Sequence, residues 1–311
     1  DCLDQLTALA FVAAATTKLR LLTSVMVIPH RPPMLTAKML ATADILSKGR
    51  VTVGVGVGWS EEEISLLGAP TFKGRGKLAD ETLAAMRILW TEASPEFDGE
   101  YISFKGLKFE PKPVQKPHPP LWMQSRDPQT LEYCAAEGIN TGFFISFPRE
   151  EAAPRYRKYL DDWAKAGHAH KPNIGYSTVV YVDETDEKAM ETALKRASRA
   201  YVGFLRPAEP GQSFEDRVAN LSARFTARGE HGAAEIMGNI FDPEYLADHD
   251  LAFIGSPDTV AGKLREASEK GLFNVFMGEF NFADLPEDDL MRSIRMFGEE
   301  VIPQLRDFEP F

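Results

Sequence analysis

Cysteine is nearly absent from this 311-residue chain: only Cys2 and Cys134 occur, far apart and without a C-x-x-C or metal-ligand spacing. That excludes a disulfide framework, and two isolated thiols are what a reducing, cytoplasmic compartment leads one to expect. No apolar run reaches the roughly 18 residues that a membrane span needs. Positive charge is in deficit, with 35 Lys and Arg against 46 Asp and Glu and a net charge of -11. A nucleic acid or an anionic membrane selects a basic surface, so neither is expected as a partner. The six histidines are scattered. His168 and His170 form an i, i+2 pair in an expected loop rather than a ligand frame, so no metal is expected. Internal repeats and low-complexity tracts are missing, as are an initiator Met at position 1 and a secretory signal. Residues 3–17 read like the middle of a fold, which suggests that further chain precedes Asp1.

What is present is organised around RVTVGVGVGWSEEEI, residues 50–64. Val51, Val53, Val55 and Val57 alternate with Thr52, Gly54, Gly56 and Gly58, giving a strand with one β-branched face and one nearly bare face. Glycine inside a strand costs stability and marks the close approach of a backbone or a ligand. Tight packing of the strand against its neighbours is one reading; room for a flat cofactor ring is the other, and the preferred one. The glycines fit a G-x-G-x-x-G dinucleotide fingerprint in no register. Glu61, Glu62 and Glu63 also fill the following helical turn, where they suit the helix dipole but would repel a pyrophosphate. Ser60 and Glu63 have capping-box spacing, so the strand runs at once into a helix. Ligands of such a βα unit sit at the strand's carboxyl end.

The remaining pattern repeats that unit. Helices are predicted over 4–16, 34–46, 78–90, 128–137, 149–166, 186–200, 257–270 and 286–305, from apolar spacing and from Ser, Asp and Pro starts. Strands are predicted over 19–28, 121–124, 141–146, 174–182 and 274–277, in addition to the glycine strand. Residues 95–120 form a proline-rich, hairpin-like excursion. Residues 204–250, too long for an ordinary connection, are either a lid or an extra helical piece. The prediction is α/β: a TIM barrel lacking two of its eight strands at the N-terminal side, as one domain over 1–311 with the 204–250 insertion inside it.

With these residues in view, the chain resembles the bacterial luciferase-like superfamily of flavin- and deazaflavin-dependent oxidoreductases. LRLLTSVMVIPHRPPMLTAKMLATADILSKGRVTVGVGVGW is similar to that family's third strand, helix and fourth strand. PHPPLWMQSRDPQTLEYCAAEG, YVDETDEKA, FIGSPDTVAGKLREASEKG and RSIRMFGEEVIPQLR are similar to later segments. The resemblance implies a non-prolyl cis peptide at Ser24-Val25, under the isoalloxazine ring, with Gly56 and Gly58 leaving room beside it. It implies phosphate contacts at Gln124, Ser125 and Arg126, although Ser125 and Asp127 would equally serve to cap the next helix while Arg126 stays solvated. Gly255-Ser256-Pro257 is a second helix start with the same two readings. Val57 stands where bacterial luciferase has a phosphate-binding Arg, and Trp59 where deazaflavin sugar-phosphate dehydrogenases have an acid, so neither specialised chemistry transfers.

The activity implied is that of a monooxygenase using reduced FMN and oxygen on a small organic substrate, with a separate flavin reductase as partner and a homodimer as the assembly. Trp59, Phe143 and Phe144 would wall the substrate pocket, though aromatics of this kind also serve as core. His30, at a strand end, is a weak candidate for contacting substrate or cofactor. Arg206, Arg217 and Arg224 of the insertion read as a solvated face that would also suit an anionic substrate. Two rivals remain open: a hydride-transfer enzyme using the deazaflavin coenzyme, and a non-catalytic flavin-binding protein.

Overall fold

The computed structural model describes residues 3–144, 147–204 and 211–311. The chain divides into two compact units, 1–124 with 138–140, and 125–137 with 141–311. The predicted Ile145, Ser146 and Arg206 features lie outside the described residues.

In the first unit α1 (Gln5–Ala15) starts at Asp4, whose carboxylate accepts the Thr7 N–H at 2.9 Å. Arg50 closes the other end. Its guanidinium donates to the carbonyls of Ala13 (2.7 Å) and Thr16 (3.0 Å), groups that a helix terminus leaves unpaired, and to that of Leu19 (2.8 Å) in the following loop. The strand predicted over 19–28 is interrupted. It forms β1 (Leu21–Leu22) and β2 (Met26–Val27), both parallel to β3 (Val51–Gly56). Between them the Thr23 hydroxyl takes over the ladder, accepting from Gly54 N (2.9 Å) and donating to Gly54 O (2.8 Å).

A short 3₁₀ turn, Ile28–His30, leads to α2 (Pro33–Leu46). Helix α3 (Glu61–Leu66) carries the predicted Ser60 cap, and α4 (Arg75–Thr91) follows. The excursion contains the antiparallel hairpin β4 (Phe97–Asp98) and β5 (Ser103–Phe104). The Glu81 carboxylate anchors it through the N–H groups of Glu100 and Tyr101. Strand β6 (Leu121–Gln124) pairs with β3, Val53 facing Leu121. Fully buried Asp44 accepts two bonds from Gln115, tying α2 to the chain that enters β6.

The second unit opens with α5 (Pro128–Glu137), which carries buried Cys134. Strands β7 (Asn140–Phe144) and β8 (Ile174–Val182) are parallel and joined by α6 (Arg149–Ala166). After α7 (Asp186–Phe204) the insertion is helical: α8 (Phe214–Ala227), α9 (His231–Asn239) and α10 (Pro243–Asp248). Its Ile236, Ile240, Leu246 and Leu251 share one buried cluster with Ala193 and Tyr201 of α7 and Val179 of β8. Of the two predicted forms it is therefore the extra helical piece. Strand β9 (Phe253–Gly255) was not predicted, because three residues are too short for a periodicity. It pairs with the far half of β8, and after α11 (Pro257–Gly271) β10 (Val275–Glu279) pairs with the near half. The last helical run, α12 (Glu287–Met296), passes through a π turn at Phe297–Val301 into α13 (Ile302–Leu305).

Candidate functional site

In the first unit the candidate residues gather at the carboxyl end of β3 and the neighbouring 23–27 segment. The Ser24-Val25 peptide is cis and non-prolyl. Thr23, Ser24 and Val25 line a cavity of about 650 Å³ together with Leu9, Val12, Arg20 and Arg31. Neither arginine is uncommitted: Arg31 pairs with Asp4, and Arg20 donates to Thr52 and Gln115.

The bare face of β3 is filled from within the fold. A Cβ on Gly54 would strike the Thr23 carbonyl, one on Gly56 would lie 2.7 Å from Val25 Cγ2, and one on Gly58 would lie 2.8 Å from Val27 Cγ1. The glycines thus let two backbones approach, and Gly56 and Gly58 meet valines where the sequence reading expected open room. Gly58 also has φ +73°, a left-handed turn that glycine adopts freely, and its carbonyl accepts from Arg75 Nε at 3.0 Å. Trp59 is 60% exposed. His30 ends the 3₁₀ turn with Nε2 3.8 Å from a Glu63 carboxylate oxygen.

Gln124 closes β6, and Ser125 and Arg126 open the second unit. The Ser125 N–H donates to the Gly142 carbonyl (3.1 Å), and its hydroxyl accepts from Asp127 N–H (3.1 Å). Asp127 in turn caps α5 by accepting the Thr130 N–H (2.9 Å). Arg126 turns toward the insertion, where its guanidinium lies 3.5 Å from Glu230 and 4.3 Å from the Phe225 ring centre. Arg155 binds the same carboxylate at 3.3 Å and donates to the Arg126 carbonyl at 2.6 Å. Burial lowers the Arg126 pKa, and the Glu230 charge works against that. Of the phosphate donors expected from the sequence, the Ser125 N–H already serves the fold, the Ser125 hydroxyl proton has no acceptor among the described residues, and Arg126 is ion-paired with Glu230 without a hydrogen bond to it. The expected donor set is thus partly engaged by the fold, with the Ser125 hydroxyl left to donate and the Arg126 guanidinium turned toward Glu230.

Phe143 is 2% exposed and packs on Tyr156 and Tyr176, with ring centres 5.1 and 4.9 Å away. It belongs to the core rather than to a pocket wall, because one face of β7 is covered by α6. Phe144, the next residue and on the opposite face, is 43% exposed. Gly255-Ser256-Pro257 is a plain cap: Asp186 already places its carboxylate 2.6 Å from Ser256 N. Arg217 and Arg224 lie on α8.

Sequence reasoning passed over Glu279, at the carboxyl end of β10, the end of a barrel strand where functional groups collect. Burial raises its pKa, and no cation pairs with it among the described residues. Among those residues no cluster of metal-ligating side chains occurs, and no helix is long and apolar enough to cross a membrane.

The family description "Luciferase-like monooxygenase" matches residues 2–273. The chain belongs to this family. An uncharacterized Mycobacterium tuberculosis protein is 37% identical over 173 residues, 55% of this chain, and the match spans 60% of that relative's length. The FMNH2-dependent dimethylsulfone monooxygenase of Pseudomonas putida is 26% identical over 302 residues, covering 95% of this chain and 77% of that protein. The monooxygenase RslO1 of Streptomyces bottropensis superposes with a TM-score of 0.77 at 24% identity, over 96% of this chain and 82% of its own. The coenzyme F420-dependent tetrahydromethanopterin reductase of Methanopyrus kandleri gives 0.69 at 19% identity, over 97% and 87%. The fold of this luciferase-like chain is accordingly α/β, of the TIM-barrel type.

Proposed function

We propose that this luciferase-like protein is a monooxygenase that uses reduced FMN and oxygen to oxidise a small organic substrate. The observation that carries the reading is the match along 95% of the chain to an FMNH2-dependent dimethylsulfone monooxygenase. The flavin supplies oxygen activation, and the protein supplies orientation and exclusion of water. Ser24 and Val25 are the residues against which the ring is expected to lie. Ser125 contributes one hydroxyl donor, while Arg126, ion-paired with Glu230 at 3.5 Å, is expected to serve the fold instead. Reduced flavin comes from a separate reductase.

Fluorescence-quenching titrations with FMN, reduced FMN and the deazaflavin coenzyme test the proposal, followed by substrate-dependent oxygen uptake. Reduced FMN is expected to bind. Ser125→Ala is expected to weaken it about tenfold, the loss of one hydrogen bond to a charged group. Binding of the deazaflavin alone would move the chemistry to hydride transfer, for which the F420-dependent structural neighbour is the precedent. Flavin binding without oxygen uptake would leave a non-catalytic flavoprotein, and binding of neither cofactor would sink the proposal.

A further inference from the structure

Glu279 is the last residue of β10, at the carboxyl end of a barrel strand, where ligand-handling groups collect. Phe276 of the same strand packs on Phe253 of β9 and Phe297 of the π turn, with ring centres 5.5 and 6.1 Å away. Alternation along the strand turns Glu279 to the opposite face. There its register partner is Val179 of β8, fully buried in the cluster that α7 completes. The carboxyl is thus half-buried, and burial raises its pKa. Among the described residues no donor or cation reaches it. Burial raises the Tyr201 pKa and the nearby Glu279 charge adds to it, but the Tyr201 hydroxyl is shared with Thr178 Oγ1 (2.9 Å) and accepts the Val179 N–H (3.3 Å). Arg196 and Arg199 of α7 are held by Asp284, and Arg292 of α12 by Asp183.

Unlike Glu230 Oε2, which is sealed in the fold without a hydrogen bond, the Glu279 oxygens keep accessible surface. A carboxylate that is partly desolvated, unpaired and reachable gains most from a cation brought by a ligand. An anion would be repelled. An inorganic divalent cation needs several oxygen ligands, and no metal-ligating cluster occurs among the described residues. An organic ammonium needs one carboxylate and some apolar surface for its carbon chain. Met277, two residues earlier on the same face and partly exposed, offers that surface. We propose that Glu279 recognises a small alkylammonium ion, which makes a primary amine the substrate class of the proposed oxidation. The binding stands apart from the flavin reading; the amine's part as substrate rests on it.

Ligand-observed NMR titrations with butylamine and 1-butanol at neutral pH test it. Butylamine is expected to bind about tenfold more tightly, the worth of a hydrogen bond to a charged group. Glu279→Gln keeps the shape of the side chain and removes its charge, so the variant is expected to fold and to bind both probes alike. Equal affinity of the wild type for the two probes would overturn the proposal. So would butylamine binding that survives in Glu279→Gln, or no butylamine binding at all. Reduced-FMN titration and butylamine-dependent oxygen uptake separate the two readings. Glu279-dependent amine binding without flavin binding would support the ammonium site and overturn the amine's part as substrate.

Discussion

Arg126 separates what a side chain is capable of from what its neighbours ask of it. As a sequence, Gln124-Ser125-Arg126 before Asp127-Pro128 has the chemistry of an anion site; in the fold the guanidinium is bound by Glu230, more than a hundred residues away. Glu230 is 7% exposed, so removing a cation beside it leaves a buried carboxylate with Arg155 as its remaining partner. Arg126→Ala is therefore expected to lower unfolding stability by about 1–3 kcal/mol, read from the urea midpoint, with flavin affinity little changed. The reverse pattern, stability kept and flavin lost, would return Arg126 to the phosphate.

Glu279 supplies a pH test. Burial raises its folded pKa above the ordinary 4.5, so the folded state holds the proton more tightly than the unfolded one. Its contribution to stability is fully present below pH 4.5 and is lost as pH rises through the folded value. Against Glu279→Gln, the wild-type urea midpoint should fall across that window and then run parallel. Superimposable curves would show that the carboxyl feels no burial.

At the scale of the element, β3 shows why glycines in a strand admit more than one explanation. Alternation of valine and glycine announces a bare face but does not say what covers it. In the fold Thr23, Val25 and Val27 cover it, and Thr23 bonds both backbone groups of Gly54. Gly54→Ala would drive a methyl into the Thr23 carbonyl and push the 21–27 segment away. The expected loss is about 1–3 kcal/mol, measurable by thermal or urea unfolding. An unchanged midpoint would mean that the two strands can separate at no cost.

Helices were more legible than strands. Those of 128–137 and 149–166 agree residue for residue with the structure, because their Pro and charge starts and 3.6-residue spacing are local signals. Residues 19–28 look continuous in the sequence because a hydroxyl replacing a ladder bond leaves no mark on periodicity. Strand β9 was lost to its three-residue length.

On the scale of the whole molecule, parallel strands separated by helices and a family match over most of the chain place it among the luciferase-like monooxygenases, and the chemistry proposed above rests on that membership. Which flavin-type coenzyme the proposed activity would use depends on few contacts, and the titration with reduced FMN and the deazaflavin coenzyme decides it. The α/β class, the order of its βα units and the place of the glycine strand were determined by sequence alone, since hydrophobic period, caps and turn residues act over a few neighbours. The tertiary structure decided which donors remain for a ligand. It gave Arg126 to Glu230, Phe143 to the core and the glycine face to residues 23–27. Pairings of that kind join residues far apart in the chain, and no local pattern encodes them.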